Sequence, residues 1–257
     1  MTYRCLTLAC LITLLPACVT SGGLEEPATP TTSEEVTITT DDGLELAGTY
    51  QGAVGADRGP GLLLLHQFER NRADFDPIWA ELLGAGYSLL AIDFRGHGAS
   101  DPSPIPIGEL LSDRDNLGWD VMAGLDFLQR KNFDIADDRI GAVGLSVGGN
   151  MAIVANHKTH GGQQAPWGCF AIATVSARLD RAEDLAGDTS LTLRDGLYIA
   201  GADETTQAEE AGALLDITGG DREAMLVPGT AAHGADLLEQ NADVRTRIVA
   251  WFSEAGL

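Results

Sequence analysis

Positive charge is scarce in this chain. Its 257 residues carry 16 Lys and Arg against 38 Asp and Glu, a formal charge of −22 at pH 7. A surface this acidic repels phosphate backbones and anionic headgroups, so nucleic acid is not expected as a partner. The carboxylates are scattered rather than blocked, as on a solvated face. Cysteine is sparse too: of four, Cys5, Cys10 and Cys18 crowd the N-terminus, and Cys169 stands alone in the body of the chain. That leaves no pairing for an internal disulfide framework. No apolar run approaches the roughly 20 residues that a membrane-crossing helix needs. Metal-ligand clusters, a phosphate-cradling loop and a dinucleotide fingerprint are also missing, so neither a metal nor a cofactor is expected.

The N-terminus is built differently. Arg4 precedes an apolar run over residues 5–15, which then meets Leu15-Pro-Ala-Cys18, the layout of an export signal. That ending resembles a bacterial lipobox. The resemblance implies cleavage before Cys18, a diacylglycerol on its sulfur, and an exported lipoprotein held on a membrane of the cell envelope. An ordinary secretory signal cut after Ala17 and an uncleaved anchor are the alternatives. On this reading residues 1–17 are the signal and 18–35, rich in Thr, Ser, Gly, Pro and Glu, are a flexible tether. Residues 36–257 then form one domain with a sizeable core.

Inside that domain two alternating runs, 35–40 and 44–51, flank Asp41-Asp42-Gly43 and read as an antiparallel hairpin. The rhythm then changes to solid apolar strands at 61–66, 87–93, 140–144, 169–175, 196–200 and 224–227. Helical spacing falls between them at 73–83, 116–129, 147–157 and 206–215, with a closing helix over 236–252. Strands apolar on both sides, alternating with helices, imply a mostly parallel sheet covered on both faces.

Within that order, Gly144-x-Ser146-x-Gly148 runs from an apolar strand into a helix-compatible segment. A serine on such a bend adopts a strained backbone and exposes its hydroxyl, while the flanking glycines permit close approach of neighbouring segments. Among 31 glycines the pattern alone is weak, and the strand before it and the helix after it give it meaning.

Four other local sequences accompany it: Leu62-Leu-Leu-Leu-His66 leading to Gln67-Phe68, Asp93-Phe-Arg-Gly-His-Gly-Ala-Ser100, Gly201-Ala-Asp203 and Ala232-His233-Gly234. Taken with the serine bend and in this order, they resemble the α/β-hydrolase family over nearly all of the chain after the tether. The resemblance implies an α/β fold with helices on both faces and little or no lid. It also implies a serine hydrolase, most simply a carboxylesterase acting on small or medium esters.

The roles follow the chemistry of acyl transfer. Ser146 would be the nucleophile, His233 the general base, and Asp203 the carboxylate that orients the imidazole. Glu204 is an adjacent carboxylate, Asp180 and Asp184 are reserve acids, and Asp203 also suits a helix cap. The oxyanion donors implied are the backbone N–H groups of Val147 and Phe68, with Gln67 as the alternative because the family often has glycine there. His66 and His97 are expected to shape the backbone, His157 and His160 to be solvated, and Cys169 to be a buried small hydrophobe. The proline-rich run Asp101-Pro-Ser-Pro-Ile-Pro-Ile-Gly108 serves either as a pocket wall or as a rigid connector. A small-molecule ester or amide is the expected substrate, with a peptidase or amidase and a non-catalytic binding lipoprotein as the competing readings. A dehalogenase of this type would carry Asp at position 146.

Overall fold

The computed structural model describes residues 31–53, 59–113, 115–130, 135–161 and 168–257. The signal segment, Cys18 and most of the tether lie outside the described residues. The apolar runs form one sheet of eight strands: β1 (Glu34–Thr39), β2 (Glu45–Gln51), β3 (Gly59–Leu65), β4 (Ser88–Ile92), β5 (Ile135–Leu145), β6 (Ala171–Val175), β7 (Leu193–Gly201) and β8 (Thr218–Val227). Their spatial order is β1-β2-β4-β3-β5-β6-β7-β8. The hairpin β1–β2 turns on Asp41-Asp42-Gly43, and β2 joins β4 antiparallel. Every other neighbouring pair is parallel.

Seven α-helices cover it among the described residues: α1 (Asp76–Gly84), α2 (Asn116–Arg130), α3 (Val147–His160), α4 (Leu179–Ala186), α5 (Thr205–Ile217), α6 (Ala235–Gln240) and α7 (Ala242–Glu254). Side chains alternate along each strand, so the solid runs supply two cores. Leu63 and Leu65 of β3, Leu90 and Ile92 of β4, and Ile140 and Ala142 of β5 pack with apolar residues of α2 to α5. Their neighbours Leu62, Leu64, Leu89, Ala91, Val143 and Leu145 face α1, α6 and α7. Burial on both faces is why these strands read as continuous rather than alternating.

Four expected elements are corrected. The helix begun at residue 73 is a 3-10 turn over Arg72–Phe75, capped by the Asn71 side chain, and the α-helix starts only at Asp76 with Pro77 in its first turn. The closing helix is two helices. Asn241 breaks it with φ −124° and ψ 106°, and its side chain accepts a hydrogen bond from the Val244 N–H, starting α7 afresh. β5 and β8 begin several residues earlier than their apolar cores, because polar residues at a sheet end still pair through the backbone.

The chain order reverses at β3, which has β4 on one side and β5 on the other. In open parallel sheets such a reversal leaves a crevice at the carboxyl ends of the strands. The loop after β4 is locked beside it by Arg95, fully buried. Its Nε and backbone N–H donate to Asp120 at 2.8 and 2.9 Å, and its remaining nitrogens reach Asp42 and Asn116. Desolvation of a guanidinium is costly, and four hydrogen bonds to three partners offset it here. Asp93 of the same loop binds the backbone N–H groups of Arg72 and Ala99, tying it to the turn after β3.

Candidate active site

Ser146 follows β5 directly and precedes α3. Its backbone has φ 52° and ψ −113°, a left-handed conformation that costs a non-glycine residue on the order of 1–3 kcal/mol. Packing holds it there. The Ser146 N–H donates to the Val175 carbonyl at 2.8 Å, and a Cβ on Gly148 would stand 2.0 Å from the Leu65 carbonyl oxygen. One on Gly144 would meet the Gly148 carbonyl at 2.2 Å. Only glycine lets β3, β5 and α3 close on the bend.

The Ser146 hydroxyl lies 2.7 Å from His233 Nε2, with the histidine on the loop after β8. The other ring nitrogen, Nδ1, hydrogen-bonds a carboxylate, and that carboxylate belongs to Glu204 rather than to Asp203. The expected acid is therefore corrected by one residue. The chain turns over 201–204, with the Glu204 N–H donating to the Gly201 carbonyl and the Asp203 N–H to the Thr230 carbonyl. This turn leaves Asp203 exposed, with no side-chain hydrogen bond among the described residues. Glu204 has one methylene more and reaches back under the imidazole, where its side chain is only 9% exposed. Asp203 is not the cap of α5 either, since Glu204 occupies that position.

The second Glu204 oxygen accepts a hydrogen bond from the Ser176 hydroxyl at 2.7 Å, and the same hydroxyl accepts one from the Gly234 N–H at 3.0 Å. Ser176 directly follows β6, is buried, and itself has φ 58°. It joins the strand end, the carboxylate and the histidine loop through one oxygen. Sequence reasoning missed it. The only trace is its place one residue beyond a strand in the row of strand ends.

The two N–H groups expected as oxyanion donors carry no hydrogen bond among the described residues. Val147 is the first residue of α3, whose opening amides have no intrahelical acceptor, and Phe68 sits in the turn after β3. The alternative donor, Gln67, is engaged: its N–H points to Asp74 Oδ2 at 3.2 Å. Its side chain does a different job, with Oε1 accepting the Ala235 N–H at 3.0 Å and so binding this turn to the start of α6. His66 supports the turn from beneath. Its Nδ1–H donates to the Gln67 carbonyl and its Nε2 accepts the Phe94 N–H. Burial lowers its pKa to about 4, which keeps it neutral as that pairing requires. His97 packs against His66 and Phe68 with Nδ1 on the Arg95 carbonyl. Burial raises the pKa of Asp74, opposed by Arg70 and the Gln67 N–H.

A cleft of about 310 Å³ opens over the serine. Besides Ser146 and His233, it is lined by Leu111, Ser112, Asn150, Ser176, Arg178, Arg181 and Gln207. The expected wall over residues 101–108 is displaced. Pro102, Ser103, Ile105 and Ile107 line a separate shallow depression with Gly96 and Gly98, and the chain reaches the cleft only at the end of the 3-10 turn Ile107–Leu111. The reserve acids lie away from the histidine: Asp180 pairs with Arg178 and Asp184 with Arg181.

The esterase Pf2001 of Pyrococcus furiosus superposes with a TM-score of 0.66 at 18% identity, over 91% of this chain and 99% of that one. Dienelactone hydrolase of Anabaena variabilis gives 0.65 at 17%, over 88% and 97%. The α/β hydrolase GrgF of Penicillium gives 0.66 at 15%, over 87% and 99%. The chain has the α/β-hydrolase fold. No family model matches it. Among curated proteins it is 28% identical to two uncharacterised proteins of Mycobacterium tuberculosis over 119 residues, which is 46% of this chain and 39% of theirs. The matched segment thus spans well under half the length of those relatives.

Relative to the pattern expected from the sequence, two positions differ. Gln67 stands where glycine is common and uses its side chain as an acceptor, and the carboxylate comes one residue late as Glu204. Among the other singled-out residues, Cys169 is buried, with its thiol pushed up to about 12 by desolvation. His157 is buried rather than solvated, its Nδ1 accepting the Thr192 N–H at 3.0 Å, whereas His160 is half-buried beside the Phe170 carbonyl. Among the described residues no group of three or more His, Cys, Asp or Glu could hold a metal ion.

Proposed function

We propose that the chain is a serine hydrolase, and specifically a carboxylesterase that turns over small or medium esters through an acyl-enzyme. The observation that carries this reading is the continuous line from the Ser146 hydroxyl through His233 to Glu204. A serine hydroxyl is a weak nucleophile at neutral pH, and an imidazole on the hydroxyl with a carboxylate behind it is the arrangement that activates one. Glu204 holds the proton on Nδ1, leaving Nε2 as the acceptor. As Oγ attacks the ester carbonyl carbon, its proton passes to Nε2 and the carbonyl electrons move onto oxygen. The Val147 and Phe68 N–H groups bind that oxyanion, and losing one such donor typically costs about 100-fold to 1,000-fold in rate. Collapse expels the alcohol, which takes the proton from Nε2. Water then repeats the sequence on the acyl-enzyme, releasing the acid and restoring the hydroxyl.

The names of the structural neighbours, an esterase and a dienelactone hydrolase, favour ester bonds over amides. A fluorophosphonate probe should label the full chain at Ser146, and Ser146→Ala should abolish both labelling and hydrolysis of short 4-nitrophenyl esters. Absence of labelling in the folded parent would sink the proposal, and faster cleavage of aminoacyl anilides than of esters would replace it with a peptidase. The reading includes a lipid on Cys18 that holds the enzyme at an envelope membrane. No described helix is long and apolar enough to cross one. Labelled fatty acid should enter the parent and not Cys18→Ala; equal incorporation would refute the anchor.

A further inference from the structure

The cleft over Ser146 departs from the charge of the rest of the molecule. The chain has more than twice as many acidic as basic residues, yet the charged side chains lining the cleft are Arg178 and Arg181, and their partners Asp180 and Asp184 do not line it. Both arginines lie at the start of α4, Arg178 as its extended N-cap residue and Arg181 in its first turn, and both line the cleft over the serine.

Their placement is fixed from behind. The Arg178 N–H donates to Asn150 Oδ1 at 2.8 Å, setting where the side chain leaves the backbone. Asp180 then takes Nε and Nη2 of Arg178. Among the described residues its Nη1 has no partner, and neither do Nε and Nη2 of Arg181, whose Nη1 meets Asp184 at 3.4 Å. The two carboxylates are the more water-exposed members of the pairs, at 46% for Asp180 against 30% for Arg178 and 59% for Asp184 against 47% for Arg181. Water therefore screens the acids more than the guanidinium edges that line the cleft.

On the esterase reading above, we infer that the cleft selects esters carrying a carboxylate, such as half-esters of dicarboxylic acids. Guanidinium edges match a planar carboxylate with two parallel hydrogen bonds. Two arginines each paired with a more water-exposed carboxylate offer free N–H groups but little net charge, which suits one added negative charge better than two and favours a carboxylate over a phosphate dianion. An enzyme with this overall charge repels anions at long range, so a substrate of this class needs such a local offset to dock.

The test compares 4-nitrophenyl hydrogen adipate with its neutral counterpart 4-nitrophenyl hexanoate on the full chain. The expected ratio of kcat/KM is about tenfold in favour of the adipate ester, carried by KM, roughly the value of one charge-assisted hydrogen bond. Arg178→Gln and Arg181→Gln should each cut that ratio at least threefold, and Arg130→Gln on the exposed end of α2 should leave it unchanged. Free adipate should inhibit hexanoate hydrolysis more strongly than inorganic phosphate does. A ratio at or below one, a ratio unmoved by both arginine substitutions, or stronger inhibition by phosphate overturns the inference. Calorimetric binding of the two esters to Ser146→Ala reads the preference without turnover. It separates failure of this inference from failure of the esterase reading, since a tenfold preference in binding sustains the inference and its absence refutes it.

Discussion

Replacing Glu204 by Gln and, separately, Asp203 by Asn tests which carboxylate serves His233. The two residues are neighbours in one turn, so composition, local fold and loop length stay constant while the charge is removed from one or the other. Glu204 hydrogen-bonds Nδ1 and is sheltered from water, so its charge acts on the imidazolium at about 4 Å through an effective dielectric near 20. That interaction is worth about 4 kcal/mol, or about 1,000-fold in rate at 1.36 kcal/mol per decade. Removing the corresponding charge in other serine enzymes costs about 10,000-fold, because the amide also permits the wrong tautomer. The expected loss in kcat for Glu204→Gln is therefore about 1,000-fold to 10,000-fold, with KM little changed.

Asp203 is exposed, and its one recorded bond is made by the backbone N–H, which Asn keeps. Its replacement should cost less than about threefold, the range of a screened surface charge. Initial rates on a 4-nitrophenyl ester give kcat and KM, and the rate of fluorophosphonate labelling reports Ser146 activation independently of deacylation. If Asp203→Asn is the crippling change and Glu204→Gln is mild, the geometry assigned to the carboxylate is wrong. If both are mild, the imidazole acts without a charged partner and the mechanism above fails.

Ser176→Ala removes one bond to Glu204 and leaves the Gly234 N–H without its acceptor, so kcat should fall about tenfold with KM unchanged. In a double-mutant cycle the Ser176 effect should shrink markedly in the Glu204→Gln background, and full additivity would mean that Ser176 only supports the loop. His66 titrates at about 4 when folded and near 6.5 when unfolded, so protons bind the unfolded chain more readily between those values. Its contribution of about 3 kcal/mol is complete above pH 6.5 and lost as pH falls toward 4. Urea midpoints at pH 7 and pH 4.5 should differ accordingly, and a His66→Gln protein with the same pH dependence would refute the assignment. Gly148→Ala should destabilise by about 3 kcal/mol or more because its Cβ meets backbone rather than a movable side chain. Gly108→Ala, facing open space, should stay within about 0.5 kcal/mol in the same thermal unfolding assay.

What the sequence made legible depended on how local its cause was. Ser146 was readable because the bend demands glycines two residues to either side, and the apolar strand before it supplies its own signal. His233 was readable because a histidine in a loop of small residues has nothing to pack against. The choice between Asp203 and Glu204 had no local signal, since it turns on the hydrogen bond from the Glu204 N–H to Gly201 and on the Thr230 carbonyl arriving from another loop. The closing helix was misread for a related reason: Asn241 caps α7 only because the chain leaves helical geometry there, and a run of helix-compatible residues does not announce that.

Ser176 marks the limit of such reading. Within Thr174-Val-Ser-Ala177 it is one small residue among others, and its left-handed backbone is invisible in the sequence. Its position matters because three segments far apart in the chain, the end of β6, the turn after β7 and the loop after β8, meet at one hydroxyl. Gln67 follows the same logic from the other side, since its side chain has an acceptor's role only once α6 has docked against the turn after β3. The nucleophile and base are thus written into local pattern, while the groups that aim them are products of the parallel sheet, which brings consecutive strand ends to one edge. Substitutions at Ser176 and Gln67 should therefore disturb the geometry of His233 while leaving Ser146 and His233 themselves unaltered.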